Sequence, residues 1–181
     1  ILALPYIRAE AIRQAGFKVA VDAVHSVGGL AIPALLEALG VEVERLYCEP
    51  TGQFPHNPEP LAAHLSAIME TVPQKGCDLG VVVDPDVDRL ALITEQGAMF
   101  GEEYTLVAAA DYLLKQQKAP LVSNLSSSRA LRDLAAQRGV PYHASAVGEV
   151  NVVARMQKVD ALIGGEGNGG VLLLELHYGR D

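Results

Sequence analysis

Apolar residues recur along the chain in two alternating patterns, which are short β-branched runs and longer segments with helical spacing. The short runs, bounded by glycine or proline, predict strands, and apolar residues three or four positions apart predict helices that bury one face. In the first half, strands are predicted at residues 18–24, 41–47 and 79–83, and helices at 10–16, 30–39 and 61–72. This alternation is typical of βαβ units with a parallel sheet.

The pattern after residue 83 predicts a change of strand direction and then a second series of elements. Residues 90–94 and 98–100 flank the turn Glu95-Gln96-Gly97, which predicts a hairpin at one edge of the sheet. Further helices are predicted at 102–117, 128–138 and 150–157, and further strands at 120–124, 142–147, 161–163 and 171–174. The sequence therefore predicts two consecutive three-layer α/β/α domains with mixed, mostly parallel sheets, spanning residues 1–101 and 102–181.

Three aspartates at every second position directly follow the predicted strand at 79–83. In α/β sheets ligands gather beyond the carboxyl ends of strands, and carboxylates crowded there repel one another unless a cation is present. Carboxylate oxygens suit Mg²⁺, which often keeps substrate phosphate as a further ligand. Asp84, Asp86 and Asp88 are therefore predicted metal ligands. Arg89 beside them offers a planar fork that suits phosphate.

The same aspartates allow two other interpretations. In a helix-loop-helix calcium site they would occupy positions one, three and five, with Glu95 at position twelve. That site needs glycine at position six, where this chain has Arg89, and both flanks are predicted strands. In a phosphatase, Asp84 and Asp86 would supply nucleophile and acid, but the downstream acidic and lysine elements of such enzymes are not evident. The phosphatase stays an alternative behind the metal site.

A glycine-rich segment at residues 164–170 is the second candidate site. A tight turn is the simpler interpretation, and the lysine and Ser/Thr of a phosphate-cradling nucleotide loop are missing. The segment nevertheless carries Glu166 and Asn168, whose side chains suit hydrogen bonds to the vicinal hydroxyls of a sugar. Gly165 lets the backbone approach such a ligand closely.

Composition and net charge limit the classes of partner that the chain can bind. With 181 residues, half of them hydrophobic, the chain can bury a substantial core, and its net charge of −8 disfavours nucleic acid and anionic membranes. Cys48 and Cys77 have no metal-like spacing, and no signal peptide or spanning helix is evident, so a cytoplasmic location is expected. The chain begins at Ile1 without methionine and is expected to be part of a longer polypeptide.

Six segments carry a resemblance to a known family. They are residues 21–29, 54–60, 84–89, 101–103, 146–152 and 165–170. Taken in order, they resemble motifs of the α-D-phosphohexomutase family, which includes phosphoglucomutases, phosphomannomutases and phosphoglucosamine mutases. The first is similar to the family's Asp-x-x-His-Gly-x-Gly turn, the second to its Asn-Pro-Glu-Pro loop and the third to its metal loop. The last two resemble third-domain loops that face the substrate.

The resemblance implies an isomerase that moves a phosphoryl group between C1 and C6 of a hexose. Family members use a bisphosphorylated intermediate, a phosphoserine as donor and Mg²⁺ to neutralise charge. The expected partners are hexose phosphate, hexose bisphosphate and the missing domains of the same polypeptide. The residues implied here are Asp84, Asp86 and Asp88 for Mg²⁺, Arg89 as the catalytic partner of the phosphoryl group, and Gly165, Glu166 and Asn168 for the substrate.

The resemblance covers the family's second domain and most of its third, so the chain alone is expected to be inactive. Two sites differ from common family patterns. Asn168 and Gly170 stand where many members have serine and histidine, and Glu149 stands where some have histidine. Mannose, glucose and glucosamine phosphates all remain candidate substrates. A noncatalytic α/β module that binds metal or sugar is the alternative function.

Overall fold

Helices and strands alternate through the first half of the chain. The computed structural model describes residues 1–177 and 179, and it separates into two compact units, Ile1–Phe100 and Gly101–Asp181. The first unit contains α1 (Ala9–Ala15), β1 (Lys18–Asp22), α2 (Gly28–Ala38), β2 (Glu42–Leu46), a 3-10 helix (Ala62–His64), α3 (Ser66–Gln74), β3 (Leu79–Val83) and β4 (Leu90–Thr94).

The first sheet has the strand order β2-β1-β3-β4. β1 is parallel to both β2 and β3, and β4 is antiparallel to β3. Because β2 and β3 lie on opposite sides of β1, the chain leaves β1 toward one side and returns on the other. Ligands of open α/β sheets bind at this kind of topological switch point, beyond the carboxyl ends of the strands. The ends of β1 and β3 are therefore the natural site of the first unit.

Side chains of β1 alternate between two apolar layers. Val19 and Val21 are buried in a cluster that includes residues of α1 and α2. Ala20 belongs to a second cluster, in which Ile68 and Val72 of α3 are fully buried. Successive residues of a strand point to opposite faces of the sheet, so both faces of β1 are covered by helices. The first unit is thus a three-layer α/β/α domain.

The second unit repeats this arrangement. It contains α4 (Glu102–Leu114), β5 (Leu121–Asn124), α5 (Ala130–Arg138), β6 (Tyr142–Ser145), α6 (Glu149–Val159), β7 (Ile163–Gly165) and β8 (Val171–Leu173). The strand order is β6-β5-β7-β8, with β5 parallel to β6 and β7, and β8 antiparallel to β7. Val122 of β5 and Met156 of α6 are fully buried in one apolar cluster. None of the helices within residues 1–177 is both long and apolar enough to cross a membrane.

The predicted fold class is confirmed, and three predicted elements differ from the structure. The strand predicted at 161–163 lies instead at Ile163–Gly165. The helix predicted at 61–72 is divided into the 3-10 helix and α3, and the fully buried Leu65 lies between them. Residues 98–100 do not form a strand and are joined to β4 by a single bridge, Ile93 to Met99. The antiparallel edge of the first sheet is therefore formed by β3 and β4.

A proline-rich loop is anchored to the end of β1. We call residues 49–60, with prolines at four positions, the proline loop. Nε2 of His56 lies 3.0 Å from Oδ2 of Asp22, whose side chain is only 1% exposed. The backbone N–H of Val24 donates to Oδ1 of the same carboxylate at 3.0 Å. Tyr47 packs edge-on against the His56 ring at 5.8 Å. The loop thus supplies the side-chain partner of a buried carboxylate.

Replacing His56 should destabilise the first unit. In His56→Ala the buried Asp22 carboxylate loses its partner, and we expect the free energy of unfolding to fall by about 3 kcal/mol. Urea unfolding followed by circular dichroism measures the loss, and His64→Ala serves as a control histidine. The cost should shrink in Asp22→Asn/His56→Ala, which has no buried charge at position 22. Equal stability of His56→Ala and the unmodified chain would contradict this account.

Candidate functional site

The three predicted metal ligands are brought together after β3. One carboxylate oxygen from each of Asp84, Asp86 and Asp88 lies within 4.8 Å of the others. Asp84 is buried, Asp88 is half-buried and Asp86 is exposed, so the cluster has one side open to solvent. The flanking elements are β3 and β4, which are strands, and the helices of a helix-loop-helix calcium site are missing from these flanks. An all-oxygen donor set of this kind fits a hard divalent cation.

The acidic loop folds around the Asp84 carboxylate. The backbone N–H groups of Asp88 and Arg89 donate to Asp84 Oδ1 at 3.0 and 3.1 Å. Val87 turns the chain with a φ of 61°, in the left-handed region that β-branched residues rarely adopt. The loop is therefore held in a fixed conformation by the first of its three aspartates. Strain of this kind is tolerated where the surrounding contacts enforce it.

Burial raises the pKa of Asp84 above its ordinary value. The backbone N–H of Arg89 opposes this shift, and the neighbouring charges of Asp88 and Asp86 add to it. Burial and the neighbouring negative charges are separate causes, and both disfavour the ionised form of Asp84. A divalent cation at the cluster would remove that penalty. The three carboxylates thus concentrate negative charge at one place in the loop.

Arg89 extends between the acidic loop and the proline loop. Its Nη1 donates to Oε1 of Glu59 at 3.0 Å, and its Nε lies 3.7 Å from Oδ2 of Asp84. The guanidinium is partly exposed and stands beside the carboxylate cluster. The predicted phosphate-binding residue therefore has a defined position, in which its guanidinium lies near the carboxylates of Glu59 and Asp84. Sequence analysis did not identify Glu59, whose only signal was its place in the segment that resembles the Asn-Pro-Glu-Pro loop.

In the second unit, Glu166 follows β7 at the corresponding switch point of the sheet. Its side chain is buried, and Oε1 accepts hydrogen bonds from Nδ2 of Asn124 at 2.6 Å and from the backbone N–H of Gly148 at 3.1 Å. Asn124 is the last residue of β5, and Gly148 immediately precedes α6. Glu166 thus ties together the three loops that follow β5, β6 and β7. Asn124 was missed by sequence analysis, although it ends a predicted strand.

The glycine-rich segment consists of the last two residues of β7 and a closed turn that follows them. The backbone N–H of Glu166 donates to the carbonyl of Gly170 at 3.1 Å, and the N–H of Gly170 donates to Oδ1 of Asn168 at 3.1 Å. A Cβ on Gly165 would overlap the carbonyl oxygen of Gly170, so only glycine fits there. Asn168 is half-buried at the tip of this turn. The predicted residues Gly165, Glu166 and Asn168 therefore share one compact loop.

Glu103 is a further carboxylate at this loop that sequence analysis missed. Its Oε2 accepts a hydrogen bond from the backbone N–H of Ser128 at 2.6 Å. Its carboxylate also lies against the backbone of Gly167, where a Cβ would collide with it. Glu103 comes from the first turn of α4. The residue connects the glycine-rich segment to the loop that precedes α5.

Comparison with known proteins identifies the same two units. The family model for phosphoglucomutase/phosphomannomutase, alpha/beta/alpha domain II, matches residues 2–97, and the model for domain III matches residues 101–181. The chain is 36% identical, over 98% of its length, to a phosphoglucomutase/phosphomannomutase of Thermococcus kodakarensis. It is 32% identical, over 92% of its length, to a phosphoglucosamine mutase of an Acidovorax species.

The likeness extends to solved structures. A phosphoglucomutase/phosphomannomutase family protein from Burkholderia thailandensis superposes with a TM-score of 0.83 at 27% identity, over 96% of this chain and 40% of that one. The chain spans about two fifths of the length of the curated relatives it matches, 41% and 38% for the two named above. The resemblance seen in the sequence motifs is confirmed. The chain belongs to the phosphoglucomutase/phosphomannomutase family.

Proposed function

We propose that this chain is the metal- and sugar-binding part of a Mg²⁺-dependent hexose phosphate mutase. The full-length enzyme would move a phosphoryl group between C1 and C6 of a hexose through a bisphosphorylated intermediate. A phosphoserine outside the residues of this chain would donate that group, so the chain alone would not turn over. The observation that carries the proposal is the cluster of Asp84, Asp86 and Asp88 within 4.8 Å, with Arg89 beside it. The names of the matched relatives, all mutases, support it.

The three aspartates are the proposed Mg²⁺ ligands. Their oxygens form the donor set that this hard cation prefers, and the raised pKa of buried Asp84 gives the cluster a reason to take up positive charge. When bound, Mg²⁺ would neutralise negative charge on the phosphoryl donor. The open side of the cluster, at exposed Asp86, leaves room for a phosphate oxygen as a further ligand.

Arg89 is the proposed partner of the transferred phosphoryl group. A guanidinium has five N–H donors in a rigid fork, so pairing with Glu59 leaves donors for phosphate oxygens. Phosphoryl transfer depends mostly on positioning and on charge stabilisation, with little covalent work for the protein. A side chain held beside the metal ligands is suited to that task because its charge need not be moved into place during reaction.

The glycine-rich loop is the proposed reader of the sugar hydroxyls. Glu166 is oriented by Asn124 and Gly148, and Asn168 is held by its bond with Gly170, so both side chains have fixed directions. Fixed donors and acceptors recognise a hydroxyl pattern better than mobile ones, because less entropy is lost on binding. Gly165 keeps the backbone of this loop close to the ligand.

Hexose phosphates and hexose bisphosphate are the proposed ligands. Glucose, mannose and glucosamine phosphates are the candidate substrates, since the names of the relatives include all three sugars. We also propose a cytoplasmic location, consistent with the free cysteines Cys48 and Cys77. The full-length protein should be assayed with the 1-phosphate of each sugar in the presence of Mg²⁺. The mutase proposal would be contradicted if none of the three sugar phosphates were interconverted. It would also be contradicted if the full-length protein contained no phosphorylated serine.

The phosphatase alternative would require Asp84 as a nucleophile. Its Oδ1 already accepts two backbone N–H groups, and its side chain is buried, which disfavours in-line attack on a phosphorus atom. These contacts suit a metal ligand better than a covalent nucleophile. The mutase is therefore the proposal that we retain.

Neutralising one metal ligand should abolish most of the activity. In the full-length protein, Asp86→Asn keeps the shape of the exposed side chain but removes its charge, and we expect kcat to fall roughly a hundredfold. The mutase assay at saturating Mg²⁺ measures this loss. Asp133→Asn, a change at an exposed acid of α5, is the matched control and should leave kcat unchanged. Undiminished activity of Asp86→Asn would refute the metal assignment.

The demand for Mg²⁺ should increase as the pH falls. Because the pKa of Asp84 in the folded protein lies above its ordinary value, protons compete with the cation at a higher pH than usual. The half-saturating Mg²⁺ concentration should rise as the pH falls through that pKa, by up to roughly tenfold per pH unit below it. Without metal, the fold should become less stable as the pH rises toward that pKa, because ionising Asp84 opposes folding. A half-saturating concentration that does not vary with pH would contradict this.

A further inference from the structure

A continuous series of contacts connects the end of β1 to the acidic loop. It begins at buried Asp22, which pairs with His56 of the proline loop at 3.0 Å. Within that loop, Oδ1 of Asn57 accepts a hydrogen bond from the backbone N–H of Glu59 at 3.0 Å. The side chain of Glu59 then receives the Nη1 bond of Arg89. Each link joins groups of complementary charge or hydrogen-bonding type, so the contacts connect the buried anchor to the backbone of Glu59, whose carboxylate receives the bond from Arg89.

Arg89 needs such a fixed contact because its other partner is a proposed metal ligand. Nε of Arg89 lies 3.7 Å from Oδ2 of Asp84, which is an ion-pair distance rather than a short hydrogen bond. A cation at the cluster would draw the negative charge of Asp84 to itself and weaken its attraction for the guanidinium. The contact with Glu59 does not involve a metal ligand, and it would persist.

The ion pair between Glu59 and Arg89 is as exposed as an ordinary surface ion pair. The side chains of Arg89 and Glu59 are 39% and 49% exposed, and pairs of this exposure usually contribute little to stability. An arginine side chain also has substantial rotamer entropy, which opposes a single position. We therefore expect this pair to orient the Arg89 side chain and to have only a small effect on the stability of the fold.

We propose that Glu59 is a positioning residue that keeps the Arg89 guanidinium beside the acidic loop while Asp84 is engaged with the cation. This inference rests on the proposed function, since Arg89 is taken as the partner of the phosphoryl group. The Asp22–His56 pair anchors the loop that presents Glu59. Glu59 acts through Arg89 and does not touch the substrate.

A double-mutant cycle in the full-length protein tests this role. Glu59→Ala should lower kcat roughly tenfold with a smaller change in KM, because a displaced guanidinium stabilises the transition state less well. Glu59→Gln, whose amide oxygen still accepts from Nη1, should retain most of the activity. In an Arg89→Ala background, Glu59→Ala should cause no further loss, because the two residues act as one unit.

A matched control exists in the same unit. Glu37 pairs with Arg45, and the two side chains are 48% and 47% exposed, close to the values for Glu59 and Arg89. Glu37→Ala should leave kcat and KM unchanged. A full additional loss from Glu59→Ala in the Arg89→Ala background would overturn the proposal, because Glu59 would then act independently of Arg89. Unchanged kinetics of Glu59→Ala alone would also overturn it.

A second measurement separates this inference from the mutase proposal. The Nε–Hε signal of Arg89 in nuclear magnetic resonance reports the order of the guanidinium without any turnover. Glu59→Ala should lower its order parameter in the presence of Mg²⁺, and Glu37→Ala should not. Lack of mutase activity in the unmodified protein would refute the proposed function while this signal still reports on Glu59. An unchanged order parameter in Glu59→Ala would refute the positioning role in an active enzyme.

Discussion

Burial of negative charge at the carboxyl ends of the strands is the constraint on which the site depends. A carboxylate that loses its hydration must gain hydrogen bonds or an opposite charge, because the cost of leaving it bare is several kcal/mol. Asp22 meets this requirement through His56 and a backbone N–H, and Glu166 meets it through Asn124 and Gly148. At Asp84 it is met by two backbone N–H groups and by Arg89 at 3.7 Å, and the carboxylates of Asp86 and Asp88 lie close by.

The two units use the same strand order for different purposes. In each sheet, one inner strand, β1 or β5, has a parallel neighbour on both sides, and an antiparallel strand forms one edge. The loops after the inner strands carry the acidic cluster in the first unit and the glycine-rich turn in the second. The first loop concentrates charge, whereas the second satisfies its single buried carboxylate within the protein. The proposed cation site and the proposed sugar site thus lie at equivalent places of one architecture.

Local patterns in the sequence predicted the order of the elements and the acidic loop. A strand covered on both faces, such as 79–83, leaves a contiguous apolar run, and the aspartates that follow it are adjacent in the chain. The side-chain partners were not predictable, because Glu59 and Arg89 are 30 positions apart, and Asn124 and Glu166 are 42 apart. Periodicity carries no information about such pairs. The division of the helix at 61–72 was also missed, since burial of Leu65 overrides the local helical spacing.

The composition of the proline loop has an energetic consequence of its own. Proline fixes φ near −65°, so each proline restricts the backbone even in the unfolded chain. Where the native conformation accepts proline, this restriction stabilises the fold by about 0.4–1 kcal/mol per proline, because the unfolded chain has less entropy to lose. With prolines at 50, 55, 58 and 60, part of the order of this segment is already present in its covalent structure. A stretch outside the regular helices and strands can therefore present a carboxylate at small entropic cost.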